Sequence, residues 1–254
     1  MKQGELAFTD VGAGPPLVLL MGLGAPGSAW APHSDVLQQS FRCLIFDNPG
    51  TGSSALGEGA LTTQSMARAV LSSLTQLGID RFSVAGISMG ACIAQELALT
   101  APSLVDRLLL VAPWAQCDAS TGNILDLLHG VRREASDATF TALLQNLVWT
   151  PQWFNEHRDE LLTAQHLPVH ASPATIRQQV SACRSHDALD RLRAIDRPVL
   201  VTVGSDDRFI RPELSEAVAA SIPDARLERF DGLGHVHHWE DLDRFNRLAK
   251  EWFA

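Results

Sequence analysis

The segment Gly86-Ile87-Ser88-Met89-Gly90 sets a serine between two glycines, each two residues away. An alcohol becomes a useful nucleophile only when it is exposed and paired with a base, so its setting decides whether the pattern is chemical. Here it follows the apolar run Phe82 to Ile87 and opens into Ala91 to Leu99, which has helical periodicity. A strand that turns sharply into a helix lifts such a serine to the carboxyl edge of a sheet, and flanking glycines relieve the crowding of that turn. The bare G-x-S-x-G pattern is weak, since an ordinary glycine turn has the same letters; the order strand, turn, helix carries the reading.

A helix starting after Ser88 would aim unpaired amides and its positive end at the reacting atoms, which makes the Met89 N–H a candidate donor to an oxyanion. A second donor is expected from Gly22-Leu23-Gly24, after the apolar run Leu17 to Met21, where glycines let the backbone approach a substrate closely. The Leu23 amide is the candidate donor and Gly22 a candidate substrate contact.

Elements that would position these residues alternate along the chain. Leu17 to Met21, Phe41 to Asp47, Phe82 to Ile87, Leu108 to Ala112, Val199 to Gly204 and Leu227 to Asp231 read as strands. Thr62 to Leu77, Met89 to Thr100, Pro212 to Ser221 and Asp241 to Phe253 repeat apolar residues at three and four positions, as helices do. The alternation predicts an α/β fold, a doubly wound and mostly parallel sheet. It breaks between Pro113 and about Asp187, where helical patterns carry Trp114, Phe140, Trp149, Trp153 and Phe154. The chain is therefore expected to divide into a core of residues 1–112 and 188–254 and a helical cap of residues 113–187. Aromatic residues at helical spacing most often pack as core. An insertion leaving a strand's carboxyl end would instead lie over Ser88, which makes Trp114, Trp149 and Trp153 candidate substrate-binding walls.

Of the 254 residues, 46% are hydrophobic and 19% charged, a balance that suits one large packed core. The formal net charge of −9 repels phosphate backbones and anionic lipid, so neither nucleic acid nor a membrane surface is an expected partner. No apolar run approaches the roughly 18 residues of a membrane span, and residues 1–10 lack the apolar stretch of a secretory leader. Cys43, Cys92, Cys117 and Cys183 never form C-x-x-C and read as reduced thiols, so a cytoplasmic protein is expected, with no metal. A homodimer is left open.

The chain resembles the α/β-hydrolase superfamily from its first strand to its last helix. Met21-Gly22 stands where that family commonly has His-Gly, which keeps the amide role and removes any role of the histidine. Asp47-Asn48-Pro49-Gly50-Thr51-Gly52-Ser53-Ser54 is similar to the family's D-x-[RP]-G-x-G-x-S loop. The run from Pro198 to Gly204 leads into Ser205-Asp206-Asp207, and the resemblance implies an acid three residues after that glycine, hence Asp207. Asp206 is the second choice, and Asp118 would serve in the subset that places the acid one strand earlier. Gly234-His235, between the last strand and the last helix, resembles the family's base segment; His237 and His238 compete with His235 for that role but lack the glycine context.

What the resemblance implies is a Ser88, Asp207, His235 triad acting on a small molecule without a cofactor. A serine nucleophile argues against the aspartate-based dehalogenases and epoxide hydrolases. Segments around Thr75 to Phe82, Gly86 to Gly90 and Ala98 to Leu108 resemble 3-oxoadipate enol-lactonases and aminoacrylate hydrolases, which implies ester or lactone cleavage. Gly204 to Ile210 with Gly234-His235 also resembles meta-cleavage-product hydrolases, which break carbon–carbon bonds. A slow-turnover receptor of the same fold is a third reading, and Arg177 and Arg184 are candidate carboxylate contacts or solvated surface charge.

Overall fold

A computed structural model describes residues 6–254 of the protein. One sheet is built from β1 (Phe8–Val11), β2 (Pro16–Leu20), β3 (Arg42–Phe46), β4 (Phe82–Ile87), β5 (Val105–Val111), β6 (Val199–Gly204) and β7 (Ala225–Phe230). Its order is β1-β3-β2-β4-β5-β6-β7, with β1 antiparallel to β3 and all other neighbours parallel. Successive side chains enter opposite faces of the sheet. Val18, Leu20, Val84, Leu108 and Val201 join one apolar cluster, while Leu17, Leu19, Ala85, Leu109 and Leu200 join the other. Both faces are covered, which is why these strands read as unbroken apolar runs instead of alternating ones.

The first face is covered by α2 (Thr63–Gln76), α3 (Met89–Thr100) and, further along the chain, α9 (Pro212–Ser221), which contribute Met66, Val70, Ile93, Leu97 and Val218. The second is covered by α1 (Ala31–Leu37) and α11 (Leu242–Phe253), through Leu37, Phe245, Ala249 and Phe253. A one-turn helix, α10 (His237–Glu240), precedes α11.

Between β5 and β6 lie α4 (Ala119–Glu134), α5 (Asp137–Val148), α6 (Pro151–Glu156), α7 (Arg158–Ala164) and α8 (Pro173–Ser185). Asp118, Ser136, Thr150 and Ser172 start four of these helices, each side chain accepting from the amide three residues on. Such caps satisfy otherwise orphaned donors and fix where each helix begins. The two ends of the insertion meet at its neck, where the Ala188 amide donates to Ala115 O at 2.8 Å and Gln116 bridges to Asp187. Leu125, Leu128, Phe140, Ile176 and Val180 of the insertion belong to the same apolar cluster as the first face of the sheet. No helix among the described residues is long and apolar enough to cross a membrane.

Strands β1 and β5 differ from the sequence expectation, as do helix α1, which was not expected, and β7, which begins at Ala225 ahead of Leu227. Strand β1 was not expected, because Phe8-Thr9-Asp10-Val11 is short and mostly exposed; it is held by its register with β3 and by a bidentate Arg42–Asp10 pair at 2.7 Å. Strand β5 begins at Val105, ahead of the expected Leu108, because Asp106 and Arg107 lie at the less buried entrance of the sheet.

At the far end of β6, a Cβ on Gly204 would stand 2.2 Å from Gly234 O and 2.4 Å from Leu233 O. Backbone of the Leu233–Gly234 segment cannot retreat as a flexible side chain can. Gly204→Ala is therefore expected to destabilise the fold by about 1–3 kcal/mol, read as a lower urea midpoint at unchanged slope; a wild-type midpoint would show that the approach is not tight.

Candidate active site

Ser88 joins β4 to α3 with φ 55° and ψ −117°, a left-handed backbone that a side chain rarely adopts. Its amide donates to Val111 O at 2.8 Å, and its carbonyl accepts from Ala91 and Cys92. The flanking glycines follow from sterics: a Cβ at Gly86 would meet Gly90 O at 2.2 Å, and one at Gly90 would meet Leu20 O at 2.3 Å.

Asp207 lies in the turn after β6 and is buried. Its Oδ1 accepts from the amides of Phe209 and Ile210, both at 2.9 Å, and its Oδ2 stands 2.7 Å from His235 Nδ1. A carboxylate can only accept, so His235 donates through Nδ1 and keeps the lone pair on Nε2. Asp206, the second choice for the acid, instead accepts from the Ser205 hydroxyl. Asp118 caps α4 and pairs with Arg211, away from His235.

Ser88 and His235 open on one cavity of about 200 Å³, walled by Met21, Leu23, Ile87, Leu144, Val148, Trp149, Phe209, Val236 and Trp239. Among the described residues, Ser88, His235 and His238 contribute polar side chains to it, beside the indoles of Trp149 and Trp239. Gly22 lines it too, where a Cβ would come within 3.3 Å of Ser88 Cβ, so the loop after β2 lies directly against the serine. In that loop the Gly24 amide donates to Gln179 Oε1 at 2.7 Å and the Ala25 amide to Gly22 O. Among the described residues nothing accepts from the amides of Leu23 or Met89. Leu23 lines the cavity, whereas Met89 is buried and is not among the lining residues.

Of the three candidate tryptophans, Trp149 lines the cavity and the other two do not. Trp114 turns back into the main core: it is 1% exposed, its carbonyl accepts from Gln95, and its ring stands edge-on to His186. Trp153 stacks on Trp149 with ring centroids 5.6 Å apart and on His157 at 3.8 Å, so it backs the wall without reaching the cavity. Arg184 is bound to Asp126 and Gly122 O, Arg177 is exposed, and neither lines the cavity.

Sequence reasoning missed two ties from the insertion to the site. Glu240 accepts from the Gly234 amide at 2.6 Å through one oxygen and from the Thr150 amide at 2.7 Å through the other, linking the His235 loop to the start of α6. Gln179 is the second. An acidic residue at the end of a short helix and a glutamine in an amphipathic one both read as surface groups, and no spacing signal marks either. His237 and His238 are buried as well. His237 Nε2 lies 2.9 Å from Thr202 Oγ1 behind the sheet edge, while His238 packs against His33 and Phe245.

The fold and this arrangement define a hydrolase-type site at the carboxyl edge of a doubly wound sheet. The chain belongs to the α/β-hydrolase fold family, whose model matches residues 15–242. It is 31% identical to a Mycobacterium tuberculosis H37Rv protein that carries the name non-heme bromoperoxidase BpoC, over 98% of each chain. It is 27% identical to an Azorhizobium caulinodans protein that carries the name carbamate hydrolase RutD, over 96% of this chain and 93% of that one. Among solved structures it is similar to a thermophilic esterase from Thermogutta terrifontis, at 26% identity and TM-score 0.87, covering 98% of this chain and 92% of that one. The likenesses place it in a family of hydrolases.

Burial leaves several imidazoles neutral in the folded protein. It pushes His33 and His186 down to about 4 and His237 to about 3, against an ordinary value of 6.5. Unfolding releases them to take up protons, so below pH 6.5 the unfolded chain binds more protons than the native one and stability falls as pH falls. Urea unfolding is expected to give a midpoint that drops steadily from pH 6.5 to pH 4, and a midpoint unchanged across that window would show that these imidazoles are already protonated in the fold.

Proposed function

We propose that this protein is a serine hydrolase that cleaves compact carboxylic esters or lactones through an acyl-enzyme. The observation that carries the reading is the convergence of Ser88, His235 and the unpartnered Leu23 amide on one apolar cavity, with Asp207 fixed behind His235.

Ser88 Oγ attacks the substrate carbonyl while His235 Nε2 takes its proton, and the carbonyl electrons move onto oxygen. The Leu23 and Met89 amides receive that oxyanion. Collapse re-forms the carbonyl and breaks the bond to the leaving oxygen, which takes the proton from His235. Water then repeats the sequence: it yields a proton to His235, attacks the acyl carbon, and releases a carboxylic acid as Ser88 recovers its proton. Throughout, Asp207 holds the imidazole in its productive tautomer and stabilises the imidazolium that forms twice. The insertion acts as the lid, with Leu144, Val148 and Trp149 as its contribution to the cavity.

Support for an ester or lactone comes from the cavity walls. A charged or strongly polar acyl group would lose its hydration there and find few partners, whereas an alkyl or aryl acyl group would not. The Thermogutta esterase is consistent with this chemistry. A carbamate, named for the Azorhizobium relative, offers the same attackable carbonyl, and it would leave its nitrogen poorly partnered among Ile87, Leu144 and Val148. Carbon–carbon cleavage requires protonation of a carbon and receives no added support from these walls.

Ser88→Ala is expected to abolish hydrolysis with the fold intact, and His235→Ala to lower kcat by about a thousandfold or more. A His237 variant should show its cost in stability first, because its imidazole faces Thr202 and not the cavity. Labelling by a serine-directed fluorophosphonate in wild type and its absence in Ser88→Ala check the nucleophile; equal labelling of both would overturn it.

Substrate size gives a second check. Specificity constants for 4-nitrophenyl esters are expected to fall at least about tenfold from butanoate to dodecanoate, because the cavity is small against typical ligand pockets of roughly 300–1,000 Å³. A rising series, or faster turnover of dienoates than of short esters and lactones, would count against the reading.

A further inference from the structure

We propose that Gln179, on α8 of the insertion, is a positioning residue that sets the direction of the Leu23 amide in the oxyanion hole. The inference rests on the serine-hydrolase reading and extends it to a residue outside the triad. Gln179 is completely buried. Its Oε1 accepts from the Gly24 amide at 2.7 Å, and its Nε2 donates to Pro49 O at 3.0 Å. One amide side chain therefore joins the loop after β2 to the loop after β3. Because Oε1 and Nε2 are each spent on an opposite partner, the side chain cannot flip without breaking both bonds.

The consequence for the loop is geometric. Gly24 sits at φ +74°, a conformation that glycine adopts freely, so its own backbone preference does not hold the loop and the bond to Gln179 does. With the Gly24 N–H held by Gln179 and the Ala25 N–H by Gly22 O, the Leu23 N–H is left, among the described residues, as an unclaimed donor in the loop beside Ser88. From below, Asn48 Nδ2 donates to Met21 O at 2.8 Å and fixes the other end of the same loop. Loss of the Gln179 bond would free the Leu23–Gly24 peptide and with it the torsions on either side of Leu23, so that the adjoining Gly22–Leu23 peptide, which carries the Leu23 N–H, could turn away from Ser88 while the cavity walls stay in place. Oxyanion donors act on charge that develops only in the transition state, so the penalty falls on kcat and not on KM.

The test compares Gln179→Met, which keeps the length and loses both bonds, with Thr175→Val. The latter removes a neighbouring bond from α8 to the loop after β3, Thr175 Oγ1 to Gly50 O at 3.3 Å, and leaves Gly24 untouched. With 4-nitrophenyl butanoate, Gln179→Met is expected to lower kcat by about tenfold or more with KM within about twofold. An aryl boronic acid that forms a tetrahedral adduct on Ser88 should bind it more weakly by the same factor. Thr175→Val should stay within about twofold of wild type in all three. Gln179→Glu keeps an acceptor for Gly24 and should fall between the two; if Gln179→Met does not fold, Gln179→Glu against Thr175→Val decides by the same criteria. A rise in KM at unchanged kcat, unchanged boronate affinity, or an equal loss in Thr175→Val would overturn the positioning role. No ester hydrolysis by wild type would instead overturn the underlying reading.

Discussion

Ser88 stays at positive φ only because its surroundings leave it no alternative, and such a conformation costs about 1–3 kcal/mol. The restraint is local and dense. Val111 O takes its amide, α3 begins on its carbonyl, and Gly86, Gly90 and Leu20 backbone atoms close around the turn at distances that admit no side chain. Strand β2 must therefore lie beside β4, and α3 must cross over both, for the serine to be presented at all. That same proximity places the loop after β2 against Ser88, so one packing constraint brings Ser88 and the proposed oxyanion donor together.

The polar groups at the site are few, and the buried carboxylate among them is fully partnered. Asp207 has two amides on one oxygen and His235 on the other, which holds a buried carboxylate without leaving it unsatisfied. Around them the cavity is apolar, and in such surroundings each aligned dipole acts more strongly than it would in water. Glu240 extends the arrangement outward. By taking the Gly234 and Thr150 amides together, it ties the position of His235 to the insertion.

Most of the fold was legible in the sequence because strands buried on both faces leave uninterrupted apolar runs, and Val199–Gly204 and Phe82–Ile87 are found as expected. Edge strand β1 was not, since pairing on one side and exposure on the other leave no such run. At the site, glycine turns and order along the chain single out Ser88, Asp207 and His235 as candidates, and the structure sets Ser88 and His235 on one cavity with Asp207 2.7 Å from His235. The tryptophans were not legible in this way, because composition does not distinguish a ring that lines a cavity, like Trp149, from one turned into the core, like Trp114. Gln179 and Glu240 left no trace for a further reason: they are defined by backbone partners 155 and 90 residues away, at Gly24 and Thr150.

The insertion shares its apolar interior with the first face of the sheet: Leu128, Phe140 and Ile176 stand in one cluster with Val18, Leu20 and Val84. Nothing in that arrangement separates two cooperative units. Shared packing of this kind favours joint loss of the five helices and the strands beneath them on heating or in denaturant. Replacing the insertion with that of a relative is accordingly not an exchange of modules along a seam. The donor helices would have to reproduce the contours of a core already shaped by α2, α3 and β4.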